Sequence, residues 1–294
     1  MSPAPNPGAP RLTVVHDRLR PEEHLLFEAF DARGVHVERL YAPAWQWQAG
    51  AVRRDGETYL LRTLSHARTL AIARALESDG ATVVNASHVI DTCGDKAATS
   101  AALARHGVPQ PETAIVFSRD EALAFAERVG WPIVLKPTLG SWGRMVSRLH
   151  DVDALDAVLE HKMHLGGPHH QVFYLQEHVD KPQRDLRAFV LGETVIAAIA
   201  REGSDWRTNT ARGATVRGTP VTPDIERIAL AAAHAVGGGI LAVDLLESDR
   251  GLLVGEVNHG LEFRNSSEPT GVDIPGAIAD HVLALTDRHA PAVS

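Results

Sequence analysis

The sequence predicts a mixed α/β protein built of several lobes, and three observations lead there. From Leu12 to about Thr92, short apolar runs alternate with helical stretches, as in a small parallel sheet covered by helices. Further on, strand-like runs crowd together around a single long helix and end in an apolar hairpin. The length, 294 residues, is enough for two or three lobes around a large core.

Taken in order, residues 12–15 read as a strand, 21–33 as a helix with Leu25, Leu26, Phe27 and Phe30 inward, and 35–40 as a second strand. A helix over 69–78, closed by Gly80, precedes a strand at 82–84 and its turn residue Asn85. Gly94-Asp95 caps a helix over 96–106, stopped by Gly107 and Pro109. The next unit holds a strand at 113–117, a helix at 119–129 with Ser118 as N-cap, and a strand at 133–137. A glycine-bearing loop then leads to a strand at 145–149, a helix at 151–162 and a strand at 173–177. Strands at 186–190 and 195–200, a helix at 223–236, a hairpin of 239–243 with 251–258, and a helix from Ile274 complete the chain. There is no internal repeat.

Composition narrows the function. Lys plus Arg 29 against Asp plus Glu 37 gives a net charge of −8, which argues against nucleic acid held by bulk charge. No run of about 18 apolar residues occurs, so a membrane span is not expected. The lone Cys93 excludes an internal disulfide and reads as a small buried residue in a reducing, cytoplasmic setting. Residues 1–10 have neither a basic nor an apolar segment and read as a disordered tail, not a signal peptide.

The residues with chemical promise lie at strand ends. Glu256 and Asn258 share a strand face by their i, i+2 spacing, and a hairpin would bring Asp244 beside them. Three hard oxygen donors with room for phosphate oxygens describe a magnesium–nucleotide site; the bland alternative is the wet face of an edge strand. Lys136 ends an apolar strand next to the loop Gly140-Ser141-Trp142-Gly143-Arg144, so it either snorkels or clamps a phosphate. The loop lacks the Gly-Lys-Ser/Thr ending of a Walker A sequence, yet its backbone N–H groups could still close over phosphates. Asp185 and Arg187 form an i, i+2 pair, either a surface salt bridge or, beside a nucleotide, a carboxylate for ribose hydroxyls. Arg201, Arg207 and Arg212 cluster around a glycine-containing loop, as an anion trap requires. The 16 histidines show no zinc spacing, no Gly-x-Ser-x-Gly occurs, and no dinucleotide fingerprint follows the first strand.

In this order, Lys96, Lys136, the glycine loop, Gln176-Glu177, Asp185, Asp244 and Glu256-x-Asn258 resemble the ATP-grasp ligases. Within them the chain is similar to the group holding the ribosomal-protein glutamate ligase and, more closely, the LysX family of α-aminoadipate–LysW ligases. That likeness covers about Leu12 to Leu285. It is carried by His16-Asp17-Arg18-Leu19-Arg20-Pro21-Glu22-Glu23, Cys93-Gly94-Asp95-Lys96, the Gly140 loop, Thr208-Asn209-Thr210-Ala211-Arg212-Gly213, and the run from Glu256 through Phe263-Arg264-Asn265-Ser266.

The resemblance implies an ATP-grasp fold behind an N-terminal parallel α/β domain: a tail at 1–10, the N-terminal domain at 11–93, a central lobe at 94–175 and a C-terminal lobe with the Mg site at 176–286. It implies ATP, Mg2+ (two ions) and a cytoplasmic enzyme, a dimer or tetramer, working in lysine biosynthesis on a small acidic carrier, LysW. The side-chain carboxylate of the carrier's C-terminal glutamate is phosphorylated, and the amine of α-aminoadipate attacks the acyl phosphate. Carried over, Lys96, Lys136, Gly140, Ser141, Trp142, Gly143, Arg144, Arg207, Thr208 and Asn209 meet the nucleotide phosphates, Glu177 and His178 the adenine, and Asp185 the ribose. Arg201 and Arg212, with Lys136, hold the reacting groups; Asp244, Glu256 and Asn258 bind the metal; Phe263, Asn265 and Ser266 lie by the amino acid.

Gly260-Leu261 departs from the bulkier pair of the resembled sequences, which leaves glutamate, one methylene shorter, as the competing substrate. The same chemistry on another protein's C-terminus, or a silent nucleotide-binding regulator, are the other readings. Against the regulator stand Lys136, Arg212 and the acidic set, which a pure binder would not need.

Overall fold

The computed structural model describes residues 11–50, 52–140, 145–164, 167–203, 205–206 and 214–289. Its first sheet holds β1 (Arg11–His16), β2 (Glu38–Tyr41), β3 (Glu57–Arg62) and β4 (Thr82–Val84), all parallel in the order β2-β1-β3-β4. Helices α1 (Pro21–Asp31), α2 (His66–Ser78) and α3 (Ser87–Gly94) accompany it. Pro21 opens α1, where its missing N–H is no loss, while Arg20 and Glu23 form a capping box.

The expected strand at 35–40 is displaced to β2, because the Val35 N–H bonds Phe30 O and finishes the helix turn instead of entering the ladder. Strand β3 was not expected, although it lies between β1 and β4 in the sheet. Its run Glu57-Thr58-Tyr59-Leu60-Leu61-Arg62 begins and ends in charge, which masks a buried strand. Helix α3 was not expected either, because its eight residues are too few to show a clear helical period.

Asp95 accepts from the N–H groups of Ala97 and Ala98 and starts α4 (Lys96–Arg105). A second, antiparallel sheet follows, in the order β5-β8-β6-β7: β5 (Thr113–Val116), β6 (Ile133–Lys136), β7 (Ser147–Leu149) and β8 (Phe173–Glu177). It is backed by α5 (Arg119–Val129), capped by Ser118 as expected, and α6 (Val152–His164). Strand β7 starts two residues later than expected, since Met145 has a left-handed φ of 55° that no regular strand accepts.

The third sheet is antiparallel in the order β11-β10-β9-β12-β13: β9 (Arg184–Leu191), β10 (Thr194–Glu202), β11 (Thr215–Thr219), β12 (Ile240–Ser248) and β13 (Gly251–Asn258). Both its faces are covered. Leu186, Ala188 and Val190 pack with α7 (Pro223–Val236), whereas Phe189 and Leu191 point the other way, into a core with Leu26 and Phe30 of α1 and Ile278 of α9 (Ile274–His289). Between β13 and α9 lies the short α8 (Ser267–Thr270).

First and third sheets therefore share one core, and Asn85 pins the seam. Its amide donates to Ile240 O at 2.8 Å and His259 O at 2.9 Å, and accepts from Ile240 N at 2.6 Å. Gly239 allows this approach: a Cβ there would stand 2.3 Å from Asn85 Oδ1. Among the described residues no helix is long and apolar enough to cross a membrane.

Candidate active site

The hairpin β12–β13 places Asp244 directly opposite Glu256 and Ala242 opposite Asn258, so the expected meeting of these residues holds. A bulge between Asp244 and Leu245 leaves Gly255 without a cross-strand partner, and such irregularities re-aim neighbouring side chains. On β9, Arg187 lies in register with Asp244 and grips both its oxygens, at 2.6 and 2.9 Å. On β10, Arg201 lies in register with Asp185, bonds it at 2.6 Å and reaches Asp244 at 3.1 Å.

Asp185 and Arg187 thus do not pair with each other as a surface bridge; each finds an opposite charge on a neighbouring strand. Burial alone would raise the Asp244 carboxyl, but Arg187 and Arg201 hold it well below the usual range. Burial would likewise lower Arg201, and Asp244 and Asp185 hold it up.

From the other side come two lysines. Lys96 donates to Gly140 O at 2.7 Å and stands 3.0 Å from Glu256 Oε1, which ties the start of the glycine loop to β13. Lys136 donates to Gln176 Oε1 at 2.7 Å, and Gln176 is steadied by Thr113 and Tyr174, each at 3.3 Å. Burial pushes the Lys136 ammonium down to about 8, against the carboxylates of Glu256 and Asp244, while Lys96 adds to the depression. At the end of β8, Glu177 accepts from the Glu112 N–H at 3.0 Å and pairs with Arg250. His178 lies 5.9 Å from the Trp206 ring and 3.4 Å from Arg148; burial first, then Arg148, lowers its pKa.

Asp244 and Glu256 supply hard carboxylate oxygens side by side, which suits Mg2+, an ion held by one or two carboxylates together with substrate phosphates. Both now face cations, Asp244 two arginines and Glu256 a lysine. No cage of three or more Asp, Glu, His or Cys exists among the described residues, so an ion held here would need further oxygens, as from a bound phosphate.

A cavity of about 280 Å3 opens between the first and third sheets, lined by Arg20, Arg62, His66, Glu256, Asn258 and Gly260 among others. Phe263, Asn265 and Ser266 are not in its wall. Phe263 is 1% exposed in the shared core, Ser266 is buried and Asn265 faces solvent. Ser141, Trp142, Gly143, Arg144, Arg207, Thr208, Asn209 and Arg212 lie outside the described residues.

Family comparison agrees with this architecture. Residues 93–282 match the RimK-like ATP-grasp domain, and residues 12–92 match the LysX preATP-grasp domain. The chain belongs to the RimK-like ATP-grasp family. As an ATP-grasp ligase it is 35% identical, over 83% of its length and 90% of the relative's, to the alpha-aminoadipate–LysW ligase LysX of Saccharolobus solfataricus. It is 29% identical, over 92% and 98%, to the glutamate–LysW ligase ArgX of Sulfurisphaera tokodaii. A RimK-domain ATP-grasp protein from Sphaerobacter thermophilus superposes with a TM-score of 0.79 at 29% identity, covering 93% of this chain and 99% of that one.

Arg62, which lines this ligase's cavity, was not expected there. The signal was present: Tyr59-Leu60-Leu61-Arg62 ends an apolar run in a cation, as Ile133-Val134-Leu135-Lys136 does.

Proposed function

We propose that this ATP-grasp ligase joins the α-amino group of α-aminoadipate to the side-chain carboxylate of the C-terminal glutamate of a LysW-type carrier, in lysine biosynthesis. The observation that carries the reading is the match of residues 12–92 to the LysX preATP-grasp domain, because those residues build one wall of the cavity. ATP is the phosphoryl donor, and Mg2+ at Asp244, Glu256 and Asn258, read as two ions, supplies charge neutralisation. Lys96 and Lys136 hold the phosphates, and Arg201 and Arg212 steady the acyl phosphate. Phe263 and Ser266 back the amino-acid site from behind its wall, and Asn265, exposed beside them, faces the incoming amino acid. Glu177 and His178 face adenine and Asp185 the ribose, in a homo-oligomer whose size gel filtration would measure.

A second reading keeps the mechanism with glutamate as the amino acid. It is favoured by the ArgX relatives, which span nearly the whole chain, while the open space at Gly260, where an added Cβ would meet nothing within 4 Å, does not select for length. One methylene discriminates by only about 10- to 200-fold in an apolar pocket. The kcat/KM values for α-aminoadipate and glutamate on one carrier separate the readings: a preference for the longer acid supports the first, and a preference for glutamate replaces it with the second.

A further inference from the structure

Arg62 leaves β3 and enters the seam between the first and third sheets with its side chain 7% exposed. Its Nε lies 3.1 Å from Glu23 Oε1, and its Nη1 donates to Leu261 O at 2.9 Å. Nη2 is buried and has no partner among the described residues. A buried guanidinium donor without a protein partner is costly, and such groups in native structures meet a water, an ion or a ligand. The Glu23 carboxylate is already shared, since it takes Arg20 through Nε at 2.9 Å and Nη2 at 2.7 Å as well as the Arg20 backbone N–H. Glu262 is 3.6 Å from Arg20 with its side chain 42% exposed, and Glu22 acts on Arg62 only through space. Phe263, 5.8 Å below the guanidinium, keeps its plane from collapsing into the core.

Arg62 lines the same cavity as Glu256 and Asn258, and the Asn258 Nδ2 is a second donor without a partner. We infer that Arg62, oriented by Glu23 and the Leu261 carbonyl, anchors the side-chain carboxylate of the amino-acid substrate and so selects acidic amino acids. This rests on the ligase reading above. The end of the substrate follows from the geometry. Its amine has to reach the carboxylate activated beside Lys96, Arg201 and Glu256, and the α-carboxylate travels with the amine. Arg62 comes from β3, on the wall of the cavity built by the first sheet, and Glu256 from β13, on the wall built by the third, so Arg62 is assigned the end of the substrate away from the amine. A planar fork with a free N–H suits a carboxylate, and a neutral end group leaves that donor unpaired.

The test pairs protein variants with substrate pairs. Ligation to the carrier is measured for α-aminoadipate against norleucine and for glutamate against glutamine, in wild type, Arg62→Gln and Arg62→Lys. The wild type is expected to prefer the acid by roughly 10²-fold or more. Arg62→Gln should cut that preference at least tenfold through the amino-acid KM, with the KM for ATP unchanged. Glu23 keeps Arg20 in that variant, and Arg62→Lys, which retains the charge but not the fork, gives an intermediate preference should the glutamine variant fail to fold. Variants that ligate acids with the wild-type preference overturn the anchor alone. A wild type that ligates neither acid overturns the ligase reading and the anchor with it.

Discussion

Lys96 and Glu256 stand 3.0 Å apart, joining the first residue of α4 to β13. Lys96 also holds Gly140 O, so one ammonium bridges the glycine loop and the acidic hairpin. Replacing Glu256 by Gln keeps the volume and removes the charge. Ligation should fall by about 10²- to 10³-fold. Stability should change by less than about 1 kcal/mol, because the Glu256 side chain is 31% exposed. Rates across a magnesium titration, together with a thermal melt, check both; normal turnover at limiting Mg2+ would remove Glu256 from the metal site.

Arg201 is a buried partner to two carboxylates, Asp185 and Asp244. Arg201→Met takes a buried cation from Asp185 and leaves Asp244 to Arg187 alone, and should destabilise the fold by about 3–5 kcal/mol. Arg217→Met, at the exposed pair with Glu202, is the control and should change stability by less than about 0.5 kcal/mol. Urea melts of the two variants report the difference, and equal effects would contradict the buried network.

Lys136 gives a pH signature. Burial lowers it from 10.5 to about 8, so between those values the unfolded chain holds the proton that the folded chain has lost. Stability should therefore rise with pH through that window, and the penalty is complete below about 8. Lys136→Met removes the penalty, so its stability advantage over wild type should shrink from about pH 7 to about pH 10. In the wild type kcat/KM for ATP should also fall above about pH 8, as the phosphates lose an ammonium. A flat stability difference would show that Lys136 keeps its ordinary pKa.

Asn85 closes three hydrogen bonds across the seam. Asn85→Ala leaves the Ile240 N–H and C=O unmatched, at about 1–3 kcal/mol. Because the cavity lies on the same seam, the amino-acid KM should rise with the loss of stability. A stability loss without any change in that KM would separate the seam from the site.

The sequence carried the elements whose local signals agree. Ser118 and Asp95 cap helices where expected, and the hairpin brings Asp244 alongside Glu256 and Asn258 as their spacing led one to expect. It hid what depends on pairing across strands. Nothing local distinguishes an Asp185–Arg187 bridge from the observed partners, Arg201 and Asp244, because register is a tertiary property. Strand β3 was hidden by its charged ends, and with it Arg62. Phe263, read beside the substrate, is buried in the core next to Arg62, and an aromatic near a motif carries no local sign of which way it faces.

The most direct test is the mass of the carrier after incubation with ATP, Mg2+ and one acidic amino acid. A gain of one amino-acid residue per carrier with one ADP released is expected, dependent on both the carrier's C-terminal glutamate and the amino acid. ADP release without that mass gain, or a gain that persists when the terminal glutamate is removed, would contradict the ligase reading.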